Sequence, residues 1–398
     1  MSVEIKKVAN KKDLEAFIQF RYDLYRGNKY DAPNLHSDEV FTLSPWTKDP
    51  NGAFEFCDVE YYMAFKDGKM VGRVAAIINR RYNEQWQRPV VRFGWFDFVD
   101  DLEVSKALLK AVEDFGRRQG MKEIIGPLGF TDMDPEGMLT YGFDQLNTMA
   151  TLYNYEYYPK HMEQIEGFEK DNDYVEYKVY VPKDGVPEKF KRVAELTMQR
   201  YNLHIRKLTK KDVFGPEQYG HKLFQVINGT FGHLYGYSEL SEKQMDQYVK
   251  MYFGYVDLSL VTAIEDWNTP DHKCIGVGIT YPSLTKALQK CKNGRLFPFG
   301  WWHILRALWL KKTNIVDCLL IGVLPEYRPK GANSLLFYDL IPRFQKCGFE
   351  WGETHVEMET NGKVQNQWFY YENEQHKRRR CYKKSLTPDP SRGGEGSE

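Results

Sequence analysis

The most informative segment of this sequence is Ile321-Gly-Val-Leu-Pro-Glu-Tyr-Arg-Pro-Lys-Gly-Ala-Asn-Ser-Leu-Leu336. Its apolar start predicts a β-strand, and the apolar residues after Asn333 begin a helix. Gly331 lies in the turn between them, where the missing side chain allows a close approach to a ligand. Since the N–H groups of a helix N-terminus favour an anion, the segment predicts a phosphate-binding turn, to which Arg328 and Lys330 add positive charge.

The elements around this turn occur twice along the chain. In the second half the predicted order is helices 187–201 and 219–235, strands 258–264, 274–281 and 317–324, helix 332–346 and strand 351–358. In the first half it is strand 3–8, helix 14–25, strands 59–65 and 70–78 joined by an Asp-Gly turn, strand 91–99, helix 104–119 and a strand from 122. Two copies of one order predict a duplicated α/β (α+β) fold, each copy a mixed, mostly antiparallel sheet flanked by helices.

Composition bounds the domains and the class of protein. At 398 residues the chain is long enough for two domains, and the Pro- and Gly-containing stretch 181–187 places them at 1–182 and 183–386, with a disordered tail at 387–398. Lys+Arg and Asp+Glu each number 55, so we expect no nucleic-acid partner. Six scattered cysteines without a C-x-x-C pair predict a reducing cytoplasm and no metal site. The sequence contains no apolar run of about 18 residues, the length that would predict a spanning helix.

The turn resembles the pyrophosphate loop of the GCN5-related N-acetyltransferase (GNAT) superfamily, whose pattern is Arg/Gln-x-x-Gly-x-Gly/Ala. It matches at Arg328 and Gly331 and departs at Asn333, where the family has Gly or Ala. The resemblance implies acetyl-CoA or a longer acyl-CoA as co-substrate. The residues that it assigns to CoA are Val323, Arg328, Lys330, Gly331, Ala332 and Asn333, with Asn361 and Asn366 near the pantetheine arm. An ordinary strand–turn–helix is the alternative.

The corresponding turn of the first half, Phe98-Val-Asp-Asp-Leu-Glu103, lacks the glycine and carries three acids. Acids beside a diphosphate repel it. We therefore expect the first domain to keep the fold without the CoA loop.

Short patterns over nearly everything before the tail resemble a tandem bacterial branch that is similar to the bacterial ceramide synthases. They are Arg21-Tyr-Asp-Leu-Tyr25, Val71-Gly-Arg-Val-Ala-Ala-Ile77, Gly126-Pro127, Gly142-Phe-Asp144 and Tyr153-Asn-Tyr-Glu-Tyr-Tyr158. The resemblance implies an N-acyltransferase that moves an acyl group from a CoA thioester to an amine, with a long-chain (sphingoid-type) base as first choice of acceptor. Two alternatives stay open, a small-molecule N-acetyltransferase and a non-catalytic module that binds acyl-CoA or a protein partner.

Acyl transfer to an amine requires a base for the amine proton and an acid for the leaving thiolate. Along the predicted strand, His355, Glu357 and Glu359 alternate onto one face, and they are the candidate bases. Tyr370 and Tyr371 follow where the GNAT superfamily places a thiolate-protonating tyrosine. A solvent-facing strand and core tyrosines are the alternative interpretation.

Three further segments carry unusual composition. The stretch 296–312 contains Trp301, Trp302 and Trp309 followed by Lys311 and Lys312. It predicts either acyl-chain or peripheral membrane contact, or packing in the core or between domains. The basic run 376–380 is typical of a solvated face, with lipid headgroups or CoA phosphate as alternatives. The acidic segment 132–136 predicts a surface turn, with an acceptor pocket as the alternative.

Overall fold

A computed structural model describes residues 2–254, 256–310 and 313–387. The chain forms two compact units: unit 1 contains residues 1–147, 151–174 and those from 377 onward, and unit 2 contains 148–150 and 175–376. The predicted boundary after residue 182 differs from this division, which assigns residues 377–386 to unit 1 and 175–182 to unit 2. Residues 388–398 of the predicted disordered tail, and Lys311 and Lys312, lie outside the described residues.

Unit 1 is a mixed sheet with helices on both faces. Its strands are β1 (Glu4–Lys7), β2 (Cys57–Lys66), β3 (Lys69–Asn79), β4 (Val90–Phe98), β5 (Glu123–Gly126), β6 (Met138–Tyr141), the first half of β7 (Glu169–Tyr180) and most of β14 (Asn373–Ser385). Its helices are α1 (Lys11–Leu24), α2 (His36–Leu43), α3 (Arg80–Gln85), α4 (Leu102–Arg118) and α5 (Tyr157–Gln164). The strand order is β1-β2-β3-β4-β5-β14-β7, with β6 paired to β14.

Alternation along β3 buries both faces of this sheet. Val74, Ala76 and Ile78 join a core that includes Leu108 of α4, and Ala75 and Ile77 join a second core with Phe17 of α1. The predicted Asp-Gly hairpin is confirmed, because β2 and β3 pair antiparallel up to Lys66 and Lys69, and both turn residues have a positive φ.

Unit 2 repeats this order in its second half. Its strands are the second half of β7, β8 (Leu203–Arg206), β9 (Val261–Asp266), β10 (Lys273–Pro282), β11 (Ile315–Val323), β12 (Trp351–Thr354), β13 (Glu357–Met358) and the start of β14. Its helices are α6 (Glu188–Tyr201), α7 (Lys210–Phe214), α8 (Tyr219–Phe231), α9 (Glu242–Phe253), α10 (Thr285–Leu288), α11 (Gly300–Trp309), α12 (Asn333–Cys347) and α13 (Gly362–Gln365). The strand order is β7-β12-β11-β10-β9-β8, with β13 paired to β7. The predicted α/β class and repeated element order are confirmed.

The basic run in β14 is not a solvated face. Lys377 and Arg379 are fully buried. Arg380 donates two hydrogen bonds to Asp173, from Nε at 2.8 Å and from Nη2 at 2.9 Å, and Arg379 Nη2 donates to Asn147 Oδ1 at 2.9 Å. The interpretation as a solvated face was wrong because the partners of these cations lie more than two hundred residues away in the chain.

Candidate active site

The candidate site of unit 2 lies where the pairing of two neighbouring parallel strands ends. β11 and β12 are paired from Ile315–Trp351 to Cys318–Thr354. There β12 ends, and the next strand, β13, pairs with β7 instead. On its other side β11 carries one extra residue, Leu319, relative to β10. Since a β-bulge bends and twists its strand, we expect the end of β11 and the segment after Thr354 to diverge.

The turn with Gly331 follows β11 directly. After a 3-10 turn (Pro325–Lys330), Gly331 adopts the left-handed conformation with φ +83°, and α12 begins at Asn333 with no side chain capping its N-terminus. Ser334 and Leu335 donate their N–H groups to the carbonyls of Gly331 and Ala332. The Asn333 N–H donates to no acceptor within the described part of the chain. An uncapped helix of 15 residues therefore presents its positive end at this turn.

Other residues of the turn hold it in place. Arg328 donates from Nε to the Val323 carbonyl at 2.8 Å and from Nη2 to the Thr230 carbonyl at 3.4 Å, while Ala332 and Val323 are buried. Lys330 is half-buried, with its ammonium 4.2 Å from the centre of the Tyr327 ring. Of the six predicted CoA residues in the turn, only Val323 and Ala332 are buried. Lys330, Gly331 and Asn333 are partly exposed, and so is Arg328, whose guanidinium is bonded to the two carbonyls.

In unit 1, acidic side chains of the chain itself occupy the corresponding turn before α4. Asp101 caps α4 by accepting from the Glu103 N–H at 3.1 Å, and its other oxygen pairs with Lys66 at 2.6 Å. Asp100 pairs with His161 at 3.0 Å. A carboxylate of the chain thus occupies the place that an anion takes at a free helix N-terminus. That unit 1 lacks a CoA loop stays a prediction.

The three candidate bases fall in different environments. Because the strand is interrupted at residues 355 and 356, His355 and Glu359 do not share one strand face with Glu357. Glu359 is exposed and His355 half-buried. Glu357 is buried and accepts a hydrogen bond from Trp368 Nε1 at 2.7 Å, and its Oε2 accepts none within the described residues. Burial raises the pKa of Glu357 to about 8, which suits a base at neutral pH.

The two tyrosines also separate. Tyr371 is buried in a cluster with Trp368, Phe337 and Ile321 of β11. Its hydroxyl makes no hydrogen bond within the described residues, and burial raises its pKa. Tyr370 is half exposed beside Phe190. The hydrogen bond from Trp368 connects this cluster to the buried carboxylate of Glu357. Sequence reasoning missed it because an indole donor has no distinctive spacing.

The two asparagines predicted near the pantetheine arm flank the short helix α13. Asn361 precedes it and Asn366 ends it. Asn366 is exposed and Asn361 is half-buried. The backbone of this loop is held by Gln365, whose Nε2 donates to the carbonyl of Met358 at 2.9 Å and of Glu359 at 3.1 Å.

The aromatic segment between β10 and β11 forms α10 and α11. In α11 and on either side of it, six large apolar side chains are exposed: Phe297, Phe299, Trp301, Trp302, Trp309 and Leu310. Trp309 is 72% exposed and Trp302 45% exposed, so the alternative of ordinary core packing does not hold for them within unit 2. Of the helices in the described ranges, none has the length and apolar character to cross a bilayer.

Comparison with solved structures covers both units. A tandem GNAT protein from the clavulanic acid biosynthesis pathway matches 98% of this chain and 100% of its own, with TM-score 0.54 and 12% sequence identity. The chain has the tandem GNAT fold. A glucosamine N-acetyltransferase region of a fungal multi-domain GH3 β-N-acetylglucosaminidase has the same fold, with TM-score 0.53 and 12% identity, and covers 96% of this chain and 38% of that one.

Two curated relatives are similar in sequence to this tandem GNAT chain. Protein YghO of Escherichia coli (strain K12) is 25% identical over 386 residues, 96% of this chain and 95% of its own. The bacterial ceramide synthase of Caulobacter vibrioides is 25% identical over 314 residues, 76% of this chain and 75% of its own. No protein-family model matches the chain.

Proposed function

We propose that the protein is an acyl-CoA-dependent N-acyltransferase whose reaction takes place in unit 2. The observation that carries the proposal is the uncapped N-terminus of α12 behind Gly331, on the chain directly after β11, whose pairing with β12 ends at Cys318 and Thr354. In unit 1 the same position is capped by Asp101. The tandem GNAT fold and the similarity to a ceramide synthase support an acyltransferase in general.

In the proposed reaction the nitrogen of a neutral amine attacks the thioester carbonyl. The C–N bond forms, the C–S bond breaks, and the products are an amide and the CoA thiol. Ionised Glu357 accepts the proton that the nitrogen loses, and Tyr371 donates a proton to the leaving sulfur. Glu357 then returns a proton to Tyr371 through solvent. The raised pKa of both side chains fits these roles, since Tyr371 keeps its proton at neutral pH and Glu357 binds one readily.

We further propose a long-chain base as the acceptor and a peripheral membrane contact through α11. The support is the similarity to the ceramide synthase and the row of exposed aromatic side chains that ends at Trp309. Exposed Trp at the edge of a short helix favours the interface between lipid and water. A substrate with a long acyl tail would be reached at that interface.

The reaction is tested by mixing the protein with palmitoyl-CoA or acetyl-CoA and either a long-chain base or a small polar amine. Released CoA thiol is measured with a thiol reagent and the amide by mass spectrometry. We expect the amide from palmitoyl-CoA and the long-chain base. Amide from acetyl-CoA and the small amine alone would instead indicate a small-molecule acetyltransferase. Tight CoA binding without any amide would indicate a binding module.

Trp309→Ser is expected to weaken binding to liposomes about tenfold while the melting temperature changes little. The side chain is 72% exposed, so its loss removes little packing, whereas burying it in lipid contributes roughly 1.5–3 kcal/mol. Flotation with anionic liposomes and thermal unfolding are measured on the same sample, and Trp302→Ser should behave alike. Trp46→Ser, an exposed Trp of unit 1, is the control. A large fall in melting temperature with unchanged liposome flotation would show that Trp309 stabilises the fold and does not contact lipid.

A further inference from the structure

Unit 1 contains a cavity of about 70 Å3 between α2, the bulge of β4 and the loop after β5. Asp38, Glu39 and Asp134 line it, together with the neutral polar side chain of Asn34. The loop that carries Asp134 is the acidic segment for which the sequence predicts a surface turn. That prediction was wrong, because Glu136 is buried and one oxygen of Asp132 is buried without a hydrogen bond within the described residues.

Two glycines let this loop lie against the strand. A Cβ on Gly94 would stand 2.4 Å from the Leu128 carbonyl oxygen, and one on Gly129 would stand 2.2 Å from the Asp134 Cβ. The neighbouring Trp95, which also lines the cavity, has φ +44° in the bulge. A non-glycine residue in this region is strained, and such strain concentrates at functional sites.

Glu39 is the buried acid of the cavity wall, with 5% exposure. Its Oε1 accepts from Asn34 Nδ2 at 2.6 Å, and its Oε2 accepts no hydrogen bond within the described residues. Arg73 Nη1 forms a long ion pair with Oε2 at 3.9 Å and donates its hydrogen bond to the Phe17 carbonyl at 3.0 Å. A buried carboxylate oxygen without a donor is costly, so a ligand with N–H groups would satisfy it.

The cavity is lined by acidic side chains, but these do not have the geometry of a metal site. Three acids line it, and nowhere in the described ranges do three His, Cys, Asp or Glu side chains converge closely enough to hold a metal ion. Burial raises the pKa of Asp134 to about 6, while backbone hydrogen bonds, including the Thr131 N–H to Oδ2 at 3.1 Å, and the charge of Arg92 lower it and Glu39 raises it. At neutral pH Asp134 is therefore mostly ionised. An organic cation with N–H donors fits these walls, and Trp95 adds an aromatic face.

We propose that this cavity binds the ammonium group of a small primary amine through Glu39 and Asp134. The cavity is larger than one water requires and has room for a group the size of methylammonium. The site lies in the unit whose helix turn is capped by Asp101. It goes beyond the proposed acyl transfer and does not depend on it.

The test is an amide NMR titration of the full chain at pH 7.5 with methylammonium. We expect saturable shifts at the amides of Gly94, Trp95 and Gly129. Potassium and tetramethylammonium, which carry charge but no N–H donors, should bind at least about tenfold more weakly. Binding should also weaken as the pH falls through about 6, because Asp134 then takes up a proton.

The variants separate a specific site from a general attraction. Glu39→Gln and Asp134→Asn should each weaken methylammonium binding about tenfold or more, whereas Glu103→Gln, an exposed acid of α4, should leave it unchanged. Equal affinities for potassium and methylammonium, or no saturable amide shift in the wild-type chain, would overturn the proposal on the wild-type measurements alone. Unchanged affinity in a folded Glu39→Gln or Asp134→Asn chain would overturn it as well.

Discussion

Replacing Gly331 by Asp is expected to lower the affinity for CoA by at least about a hundredfold. The new carboxylate would face the diphosphate at the turn, and a side chain at φ +83° would strain the backbone. Each hydrogen bond from the helix end to a charged group contributes roughly 1.5–3 kcal/mol. The loss of two such bonds corresponds to a decrease in affinity of about 10²–10⁴-fold. Calorimetry with CoA measures the change.

Gly348→Asp is the matched control for this substitution. Gly348 ends the same helix with φ +75°, and a Cβ there meets no atom within 4 Å, so the backbone penalty is similar while the charge stands at the far end of α12. The control should keep its CoA affinity. Equal affinities of a folded Gly331→Asp chain and the wild type would remove the turn from CoA binding.

Replacing Glu357 by Gln is expected to reduce turnover about 10²–10⁴-fold, the usual contribution of a general base. In the wild type kcat/KM should fall at pH values below about 8, where Glu357 binds a proton, and this dependence should be absent in the variant. Glu359→Gln, at an exposed position two residues on, should leave both turnover and the pH profile nearly unchanged. Full activity of Glu357→Gln would assign the base to another residue.

Stability distinguishes a catalytic loss from a folding defect. The pKa of Glu357 is raised from 4.5 to about 8 in the folded chain, so the native state binds more protons than the unfolded state between these values. Its contribution therefore makes stability fall as pH rises through that window. Gln carries no charge, so the variant should lose less stability than the wild type on going from pH 5 to pH 9.

Local patterns predicted the parts of the fold that short segments determine. The turn at Gly331, the Asp67-Gly68 hairpin and the acids of the unit 1 turn were all read from neighbouring residues. Helix α9 was missed, although Ser241 and Gln244 form a capping box at its start. Such a pattern is visible in the sequence and was overlooked.

Features that depend on distant partners were beyond sequence reasoning. Alternation from residue 355 to 359 placed three side chains on one face, but β12 ends at Thr354 and β13 pairs with β7. The charges of β14 and of the loop after β5 suggested solvent exposure. Arg380 is instead hydrogen-bonded to Asp173, which is 207 residues away in the sequence. Pairing across long sequence separations decides burial in both cases.

Native mass spectrometry of the full chain with acetyl-CoA and with palmitoyl-CoA tests the central claim, that unit 2 alone binds a CoA thioester. We predict one CoA thioester bound per chain, with palmitoyl-CoA retained more tightly than acetyl-CoA, and none bound to the Gly331→Asp chain. Two thioesters per chain, or one that the Gly331→Asp chain retains equally well, would contradict it.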